Sequence, residues 1–260
     1  MDLRLEGRVV VVTGASSGVG LAVARYLVQE GGRVIACARD LSRLERAVAS
    51  LDGPGKVHPV GCDVTNRAQV EAMVAETVDV FGVLDGLVCN AGRSLMATLP
   101  DTSDEQLREE LELKIFGAWH VIRAARPHLA ASDAASVVNV NAILAKQPET
   151  RLAATSAARA ALLNFTRSLA SELGPDGIRV NSVCLGLIDT GQWRRRYEVA
   201  GTLQSYEGWS AEIAADRGIA LGRFGRAEEV AFPVVTLLSP LSGYCTGASI
   251  DVGGGVSRYV

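Results

Sequence analysis

The chain of 260 residues carries 26 lysines and arginines against 29 aspartates and glutamates, and its formal charge at pH 7 is −3. This charge gives no electrostatic support for binding nucleic acid or an anionic membrane, so we expect neither partner. No apolar run reaches the roughly 18 residues that a transmembrane helix needs, and the stretch from Met1 to Gly7 is too short for a signal peptide. We therefore expect a cytoplasmic protein.

The cysteines are dispersed along the chain and lack the Cys-x-x-Cys spacing of many metal and redox sites. They are Cys37, Cys62, Cys89, Cys184 and Cys245. An odd number of scattered cysteines predicts buried, reduced thiols, and we expect no metal site.

The first predicted elements are a strand, a glycine-rich turn and a helix. A β-branched run at 8–12 is short enough to be a buried strand, and residues 21–27 have helical spacing. Between them lies the sequence Thr-Gly-Ala-Ser-Ser-Gly-Val-Gly at 13–20. Glycines in such a turn let the backbone approach a pyrophosphate, and the helix N-terminus presents free N–H groups to it. The segment therefore predicts a dinucleotide site, and a plain tight turn is the alternative.

Strands and helices continue to alternate through the rest of the chain. Further strands are predicted at 33–38, 57–62, 84–89, 136–140, 178–184 and 248–252. Further helices are predicted at 41–51, 67–81, 103–129, 152–173 and 227–238, and the polar segment 189–222 is predicted to be irregular. This alternation is typical of an α/β protein with a doubly wound parallel sheet, and we expect a single domain over residues 1–260.

Two of the predicted helices carry more apolar or small surface than one sheet needs to cover. The helix at 103–129 has a broad apolar face, and the helix at 152–173 is rich in alanine. Alanine is the best helix former, and small residues also let two helices approach closely. Simple helix propensity and a helix–helix subunit contact are equal alternatives for 152–173. The two faces together predict a homo-oligomer.

Several motifs, in this order and spacing, resemble those of the short-chain dehydrogenases/reductases. They are the glycine-rich turn at 13–20, Cys-Asp-Val at 62–64, Asn-Ala-Gly at 90–92, Ile-Arg-Val-Asn-Ser-Val at 178–183, and Gly-Arg-Phe-Gly at 222–225 with Glu-Glu-Val-Ala at 228–231. The resemblance covers residues 5–257. It implies a Rossmann fold, a nicotinamide cofactor, and a homodimer or homotetramer whose subunits meet through the two long helices.

The resemblance also implies which residues hold the cofactor. They are Gly14, Ser16, Ser17, Gly18, Val19, Gly20, Arg39, Asp63, Val64, Asn90, Ala91, Gly92, Arg159, Gly186 and Ile188. Among these, Asp63 and Val64 resemble the pair that contacts the adenine in this family, and Asn90 and Ala91 the pair beside the adenosine ribose.

The end of the strand at 33–38 bears on the choice between NAD and NADP. In dinucleotide sites of this kind an acidic residue there binds the ribose 2′-hydroxyl of NAD, whereas a nearby arginine accommodates the extra phosphate of NADP. The acidic position is Ala38 here, and Arg39 follows it. The sequence therefore favours NADP(H) over NAD(H). The alternative is that Arg39 is a solvated loop residue and that Asp40 caps the next helix.

All four catalytic positions of the family are changed in this sequence. The family works with an asparagine, a serine, a tyrosine and a lysine. These positions correspond here to Lys114, Ala142, Thr155 and Arg159, respectively. No tyrosine lies between Tyr26 and Tyr197, so no shift of register restores the motif.

The replacements change the chemistry that these positions can perform. A threonine hydroxyl is too weak an acid to exchange protons unaided, whereas a phenol with a pKa near 10 can be tuned towards neutrality. Arg159 stays protonated, so it could hold a ribose hydroxyl and add a positive field without relaying a proton. The methyl group of Ala142 offers no hydrogen bond to a substrate oxygen.

Three functions therefore remain open. The first is an NADP(H)-dependent oxidoreductase that acts on a carbonyl or alcohol small molecule through a non-standard active site. Its acid would then come from another side chain, and the candidates are Lys114, Lys146, Tyr197, Tyr206 and Cys184. The second is a catalytically inactive scaffold that binds a nucleotide or a partner, and the third is a non-redox reaction in the same pocket. The cofactor motifs favour the first.

Overall fold

The computed structural model describes residues 2–259 and contains a parallel sheet whose strand order is β3-β2-β1-β4-β5-β6-β7. The strands are β1 (Val9–Thr13), β2 (Arg33–Ala38), β3 (Lys56–Gly61), β4 (Gly86–Cys89), β5 (Ser136–Ala142), β6 (Arg179–Leu185) and β7 (Ser249–Val252). The order reverses between β1 and β4, and open α/β sheets bind ligands beyond the carboxyl ends of the strands at such a reversal. The prediction of a doubly wound parallel sheet is confirmed.

The helices cover both faces of this sheet. They are α1 (Gly18–Gln29), α2 (Leu41–Val48), α3 (Arg67–Phe81), α4 (Asp104–Leu111), α5 (Gly117–Leu129), α6 (Ala153–Leu173), α7 (Gly191–Ala200), α8 (Tyr206–Asp216) and α9 (Ala227–Leu238). The predicted bounds of α3 and α9 are confirmed, and the helix predicted at 41–51 ends three residues earlier, at Val48. No helix in residues 2–259 is long and apolar enough to cross a membrane.

The core divides into two layers because successive strand residues point to opposite faces of the sheet. In β1, Val10 and Val12 pack with α1 and α9, whereas Val9 and Val11 pack with α3, α5 and α6. Both faces of the sheet are buried, so every residue of β1 is apolar or fully covered.

The prediction of an irregular segment at 189–222 is wrong, because the segment contains α7 and α8. Helix α8 begins after Ser205, whose hydroxyl accepts a hydrogen bond from the Gly208 N–H, and α7 ends before Gly201 in the left-handed conformation. Trp193 and Tyr197 lie one turn apart in α7, and their rings pack on Trp209 of α8. The helical spacing of these aromatic residues would therefore have predicted the two helices, although arginines and glutamates surround them in the sequence.

The helix predicted at 103–129 is interrupted by a π-helical turn at Glu112–Phe116. Such turns widen the helix by one residue and occur often at functional sites. The turn lies between α4 and α5 and contains Lys114, which it holds inside the protein at 3% exposure. Strand β5 also runs two residues beyond its predicted end, as far as Ala142.

The cysteines are buried with one exception. Cys37, Cys62, Cys89 and Cys184 are buried, but Cys245 is exposed, so the expectation of uniformly buried thiols is wrong. Cys245 lies in the loop before β7. In residues 2–259 no three His, Cys, Asp or Glu side chains are grouped as a metal site would require.

Candidate active site

The glycine-rich turn between β1 and α1 leaves no room for side chains. A Cβ at Gly20 would lie 2.4 Å from the Gly14 carbonyl oxygen, and Gly14 itself has a φ of 67°. The Asn90 side-chain amide donates hydrogen bonds to the carbonyls of Thr13 (2.9 Å) and Gly14 (3.2 Å), which ties the end of β4 to this turn. Ser17 precedes α1 without a side-chain capping bond, so the first N–H groups of α1 remain available to a ligand.

A cavity of about 470 Å³ opens beyond the carboxyl ends of the strands. It brings together ten of the residues singled out in the sequence, namely Gly14, Ser17, Gly18, Val19, Asn90, Gly92, Ala142, Arg159, Gly186 and Ile188. Eight others lie outside its lining, namely Ser16, Gly20, Arg39, Asp63, Val64, Ala91, Lys114 and Thr155. The cavity lining therefore joins the glycine-rich turn to Arg159 and Ala142, whereas Lys114 and Thr155 lie outside it.

Arg39 and Asp40 follow the end of β2 and have different surroundings. The Asp40 carboxylate accepts a hydrogen bond from the Arg43 N–H (2.9 Å) and caps α2, as the alternative reading of this residue predicts. Arg39 is exposed, and its guanidinium makes no hydrogen bond or ion pair to residues 2–259. The arginine is therefore free to bind a phosphate at this edge of the sheet.

Arg159 on α6 places its guanidinium between the cavity and the interior. Its Nη1 donates a hydrogen bond to the Val140 carbonyl (2.7 Å), and its Nη2 lies 3.3 Å from where a Cβ of Gly92 would stand. Its Nε is buried and has no hydrogen-bond partner in the described chain. Burial lowers the pKa of Arg159 to about 10, so the side chain remains a cation at neutral pH.

Lys114 forms a buried ion pair with Glu110, one helical turn earlier. The Lys114 Nζ lies 2.6 Å from the Glu110 Oε2, and the two side chains are 1% and 2% exposed. Burial lowers the pKa of Lys114 to about 8, and the nearby positive charge of Arg159 acts in the same direction. Sequence reasoning singled out Lys114 but missed Glu110, although the spacing of four residues between opposite charges on a helix was a visible signal.

Thr155 is sealed away from the cavity. Its hydroxyl is within hydrogen-bond reach of Glu110 Oε2 and of the Leu95 carbonyl, and it accepts a hydrogen bond from the Leu95 N–H (3.0 Å). Thr155 is 0% exposed, whereas the neighbours of Leu95, Ser94 and Met96, line the cavity. The segment 94–96 therefore lies between the Thr155 hydroxyl and the cavity.

The remaining candidate acids are engaged elsewhere. Lys146 pairs with Asp251 (2.8 Å), the Tyr197 hydroxyl donates to the Gln204 carbonyl (2.6 Å), and the Tyr206 hydroxyl donates to Asp189 (2.6 Å). Cys184 is fully buried between the hydroxyls of β6 and β7. None of these four side chains lines the cavity, so the structure does not bring them to the positions of the changed residues.

A family model described as enoyl-(acyl carrier protein) reductase matches residues 14–257. A short-chain oxidoreductase from Pseudomonas aeruginosa PAO1, described as containing an atypical catalytic center, is 42% identical and superposes with a TM-score of 0.94. That match covers 98% of this chain and 99% of the other. The chain belongs to the short-chain dehydrogenase/reductase family. Its seven parallel strands and glycine-rich turn are those of a Rossmann fold in this family.

Further matches also extend over nearly the whole chain. The P. aeruginosa oxidoreductase is also known bound to NADPH, in a structure with a TM-score of 0.91 over 97% of this chain and 98% of that one. L-sorbose reductase from Gluconobacter frateurii, complexed with NADPH and L-sorbose, is 31% identical with a TM-score of 0.95 and full coverage of both chains. The 3-oxoacyl-[acyl-carrier-protein] reductase of Thermotoga maritima is 34% identical over 98% of this chain and 99% of its own.

Proposed function

We propose that this protein is an NADP(H)-dependent oxidoreductase that acts on the carbonyl or alcohol group of a small molecule through a non-standard active site. The observation that carries the proposal is the cavity that joins the glycine-rich turn to the Arg159 guanidinium. Arg159 Nη1 is tied to the Val140 carbonyl, whereas Nη2 makes no hydrogen bond in residues 2–259. A ribose hydroxyl of a nicotinamide nucleotide would accept a hydrogen bond from Nη2.

The glycine-rich turn fits the other end of the same nucleotide. Two of its glycines stand where a Cβ would collide with neighbouring backbone atoms. The N-terminus of α1 offers N–H groups and the positive end of the helix dipole to a pyrophosphate. Arg39 is exposed and unpaired at the end of β2, where a 2′-phosphate would lie. The NADPH complexes of two family members support the same assignment. Asp63, Val64 and Ala91 are proposed for the adenosine end.

A nicotinamide cofactor supplies or accepts a hydride when it is bound. In that state Arg159 would hold the ribose and keep a positive charge near the substrate oxygen, which stabilises negative charge as it develops there. Ala142 contributes a methyl group to the cavity wall and no hydrogen bond. Because Thr155 and Lys114 are sealed from the cavity, we propose that the proton is exchanged with solvent rather than with these two side chains.

A catalytically inactive, nucleotide-binding protein is the second candidate, and the sealing of Thr155 favours it. Titration with NADPH, followed by a screen of carbonyl substrates with NADPH and of alcohols with NADP⁺, separates the two. Nucleotide binding with hydride transfer to any substrate supports the oxidoreductase. Binding without transfer across the screen supports the inactive protein, and absence of binding contradicts both.

Replacing Arg39 by alanine should weaken NADPH binding by about 1–3 kcal/mol, because a charge-assisted contact to the 2′-phosphate is lost. NADH binding should be nearly unchanged, since NADH lacks that phosphate. Quenching of protein fluorescence by each nucleotide measures both affinities. Arg43→Ala is the matched control, because Arg43 is an exposed arginine nearby on α2. Equal affinity of the unaltered protein for NADPH and NADH would contradict the assignment of Arg39.

We also expect a homodimer or homotetramer. Trp119 on α5 stacks edge-on against Phe165 of α6 at 5.9 Å, and Phe116 beside it is 46% exposed. The exposed face of α6 continues this surface with alanines, including Ala161. Light scattering should therefore give two or four times the 27.4 kDa of one chain.

A charge on this surface should dissociate the oligomer, because its desolvation would oppose association. Ala161→Glu is the variant, and Val80→Glu, on an exposed position of α3, is its control. A 27.4 kDa particle for the unaltered protein at micromolar concentration would show that these helices form no subunit contact.

A further inference from the structure

The cavity is lined by more positive than negative charge. Its charged residues are Arg93, Arg159, Arg195, Arg196, Arg217 and Glu149. A nicotinamide nucleotide carries its negative charge on its phosphates. The position of each arginine in the cavity therefore indicates whether it would contact the nucleotide phosphates or the substrate.

Three of the five arginines already have a protein partner. Arg217 forms an ion pair with Glu149, and Arg93 forms one with Glu109. Arg159 donates to the Val140 carbonyl and faces the proposed ribose. These contacts leave Arg195 and Arg196 on α7, and neither makes an ion pair or a side-chain hydrogen bond to the described residues.

Arg195 belongs to the nucleotide end of the cavity. Its Nη1 lies 3.3 Å from where a Cβ of Gly191 would stand, at the first turn of α7. That turn adjoins the glycine-rich turn, because a Cβ at Gly18 would lie 3.4 Å from the Cγ2 of Thr190. A pyrophosphate on the glycine-rich turn would therefore be the anion nearest to Arg195.

Arg196 belongs to the opposite, apolar end. Its guanidinium lies 4.5 Å from the centre of the Trp193 ring, which packs on Phe224 at 4.8 Å. Trp193 also packs against the cluster that contains Ile143 and Val256, and both of these residues line the cavity. Arg196 is half-buried, and burial lowers its pKa from the ordinary value.

We propose that Arg196 binds an anionic group of the substrate, a carboxylate or a phosphate, while the apolar residues Ile143 and Val256 contact the carbon chain between that group and the reacting carbonyl. A half-buried cation without an acid partner is costly, and an anionic ligand would offset that cost with charge-assisted hydrogen bonds. The planar guanidinium also matches the two oxygens of a carboxylate or phosphate. This inference rests on the proposed function, because it assigns the substrate of the same cavity.

The test uses ketones with and without the negative charge. The 2-, 3-, 4- and 5-oxohexanoates are compared with their methyl esters, and hydroxyacetone phosphate is compared with methoxyacetone, which is neutral and has no hydroxyl group to oxidise. Each is titrated calorimetrically into the protein saturated with NADP⁺, a pairing that permits no hydride transfer. We expect at least one anion to bind about 10- to 100-fold more tightly than its neutral counterpart, the range for hydrogen bonds to a charged group. Comparing the affinities of the oxohexanoates with that of hydroxyacetone phosphate identifies whether a carboxylate or a phosphate is preferred.

Arg196→Gln should reduce the affinity for that anion to the level of the neutral compound and leave the NADP⁺ affinity unchanged. Arg194→Gln is the matched control, because Arg194 lies on the same helix outside the cavity lining. No preference for any anion, or an equal loss with both variants, would overturn the proposal. Failure to bind NADP⁺ would contradict the proposed function instead, and the same titrations without nucleotide would then decide the role of Arg196.

Discussion

Replacing Lys114 by methionine should lower the free energy of unfolding by about 3–5 kcal/mol, the usual cost of breaking a buried ion pair. The substitution leaves the Glu110 carboxylate 2% exposed with no cation within hydrogen-bond distance. Thr155 alone would then bond to it. Urea unfolding of both proteins at equal concentration and pH 7 measures the difference. A loss below about 1 kcal/mol would match an exposed pair instead.

Removing both charges should restore most of the stability. In Glu110→Leu/Lys114→Met neither member of the pair is left as an unpartnered charge, and Thr155 keeps the Leu95 carbonyl as its acceptor. Apolar replacement of a whole buried pair is often neutral or stabilising, so we expect the double variant within about 1 kcal/mol of the unaltered protein. A double variant as unstable as the single one would show that the stability depends on the volume of these two side chains and not on their charge.

The same pair should make stability depend on pH. Lys114 has a folded pKa of about 8, below its ordinary value of 10.5. Between these values the unfolded chain holds a proton that the folded protein has released, so the free energy of unfolding should rise with pH in this window. The double variant lacks this contribution, and the difference between the two pH profiles isolates it from the tyrosines and cysteines.

Restoring three of the family's four catalytic residues should raise turnover by about 10²–10⁴-fold, the usual contribution of a general acid. The unaltered protein should reduce simple ketones very slowly, because no side chain at the changed positions delivers a proton from the cavity wall. In the variant Ala142→Ser/Thr155→Tyr/Arg159→Lys, the serine would hold the substrate oxygen and the tyrosine would donate the proton. Loss of NADPH absorbance in the presence of linear and cyclic ketones measures both rates.

Thr155→Tyr alone is the control for this variant. Thr155 is 0% exposed beneath Leu95, so a phenol there would displace the segment 94–96 and cost about 1–3 kcal/mol by overpacking. We expect no gain in rate, since catalytic groups of this kind act as a unit. Fast turnover by the unaltered protein would reveal another acid, and Lys146→Met would be tested first beside the Glu110/Lys114 double variant. Loss of an existing activity in the triple variant would show that the present residues perform their own chemistry.

Local sequence patterns predicted most of this fold because they follow local physics. The central strands β1 and β4 are short, fully buried and mostly apolar, and α3 and α9 have apolar spacing that needs no knowledge of the partner. Helices α7 and α8 were not predicted because most of their residues are polar and only a few are aromatic. Those residues form a helical face only when Trp193 meets Trp209 and Phe224.

The sequence alone predicted the parallel sheet, the glycine-rich turn and the replacement of all four catalytic residues of the family, because each prediction depends on residue identity at a fixed spacing. Only the tertiary structure decided where the replacements point. The π-helical turn directs Lys114 onto Glu110, and Leu95 covers Thr155 across 60 residues of chain. In residues 2–259 it also left Arg159 Nε without a hydrogen-bond partner and placed Arg196 on the Trp193 ring with no acidic partner. The spacing of Glu110 and Lys114 is visible in the sequence, but the burial of that pair and the contact of Thr155 with Leu95 depend on distant segments, and such contacts have no signature in local sequence.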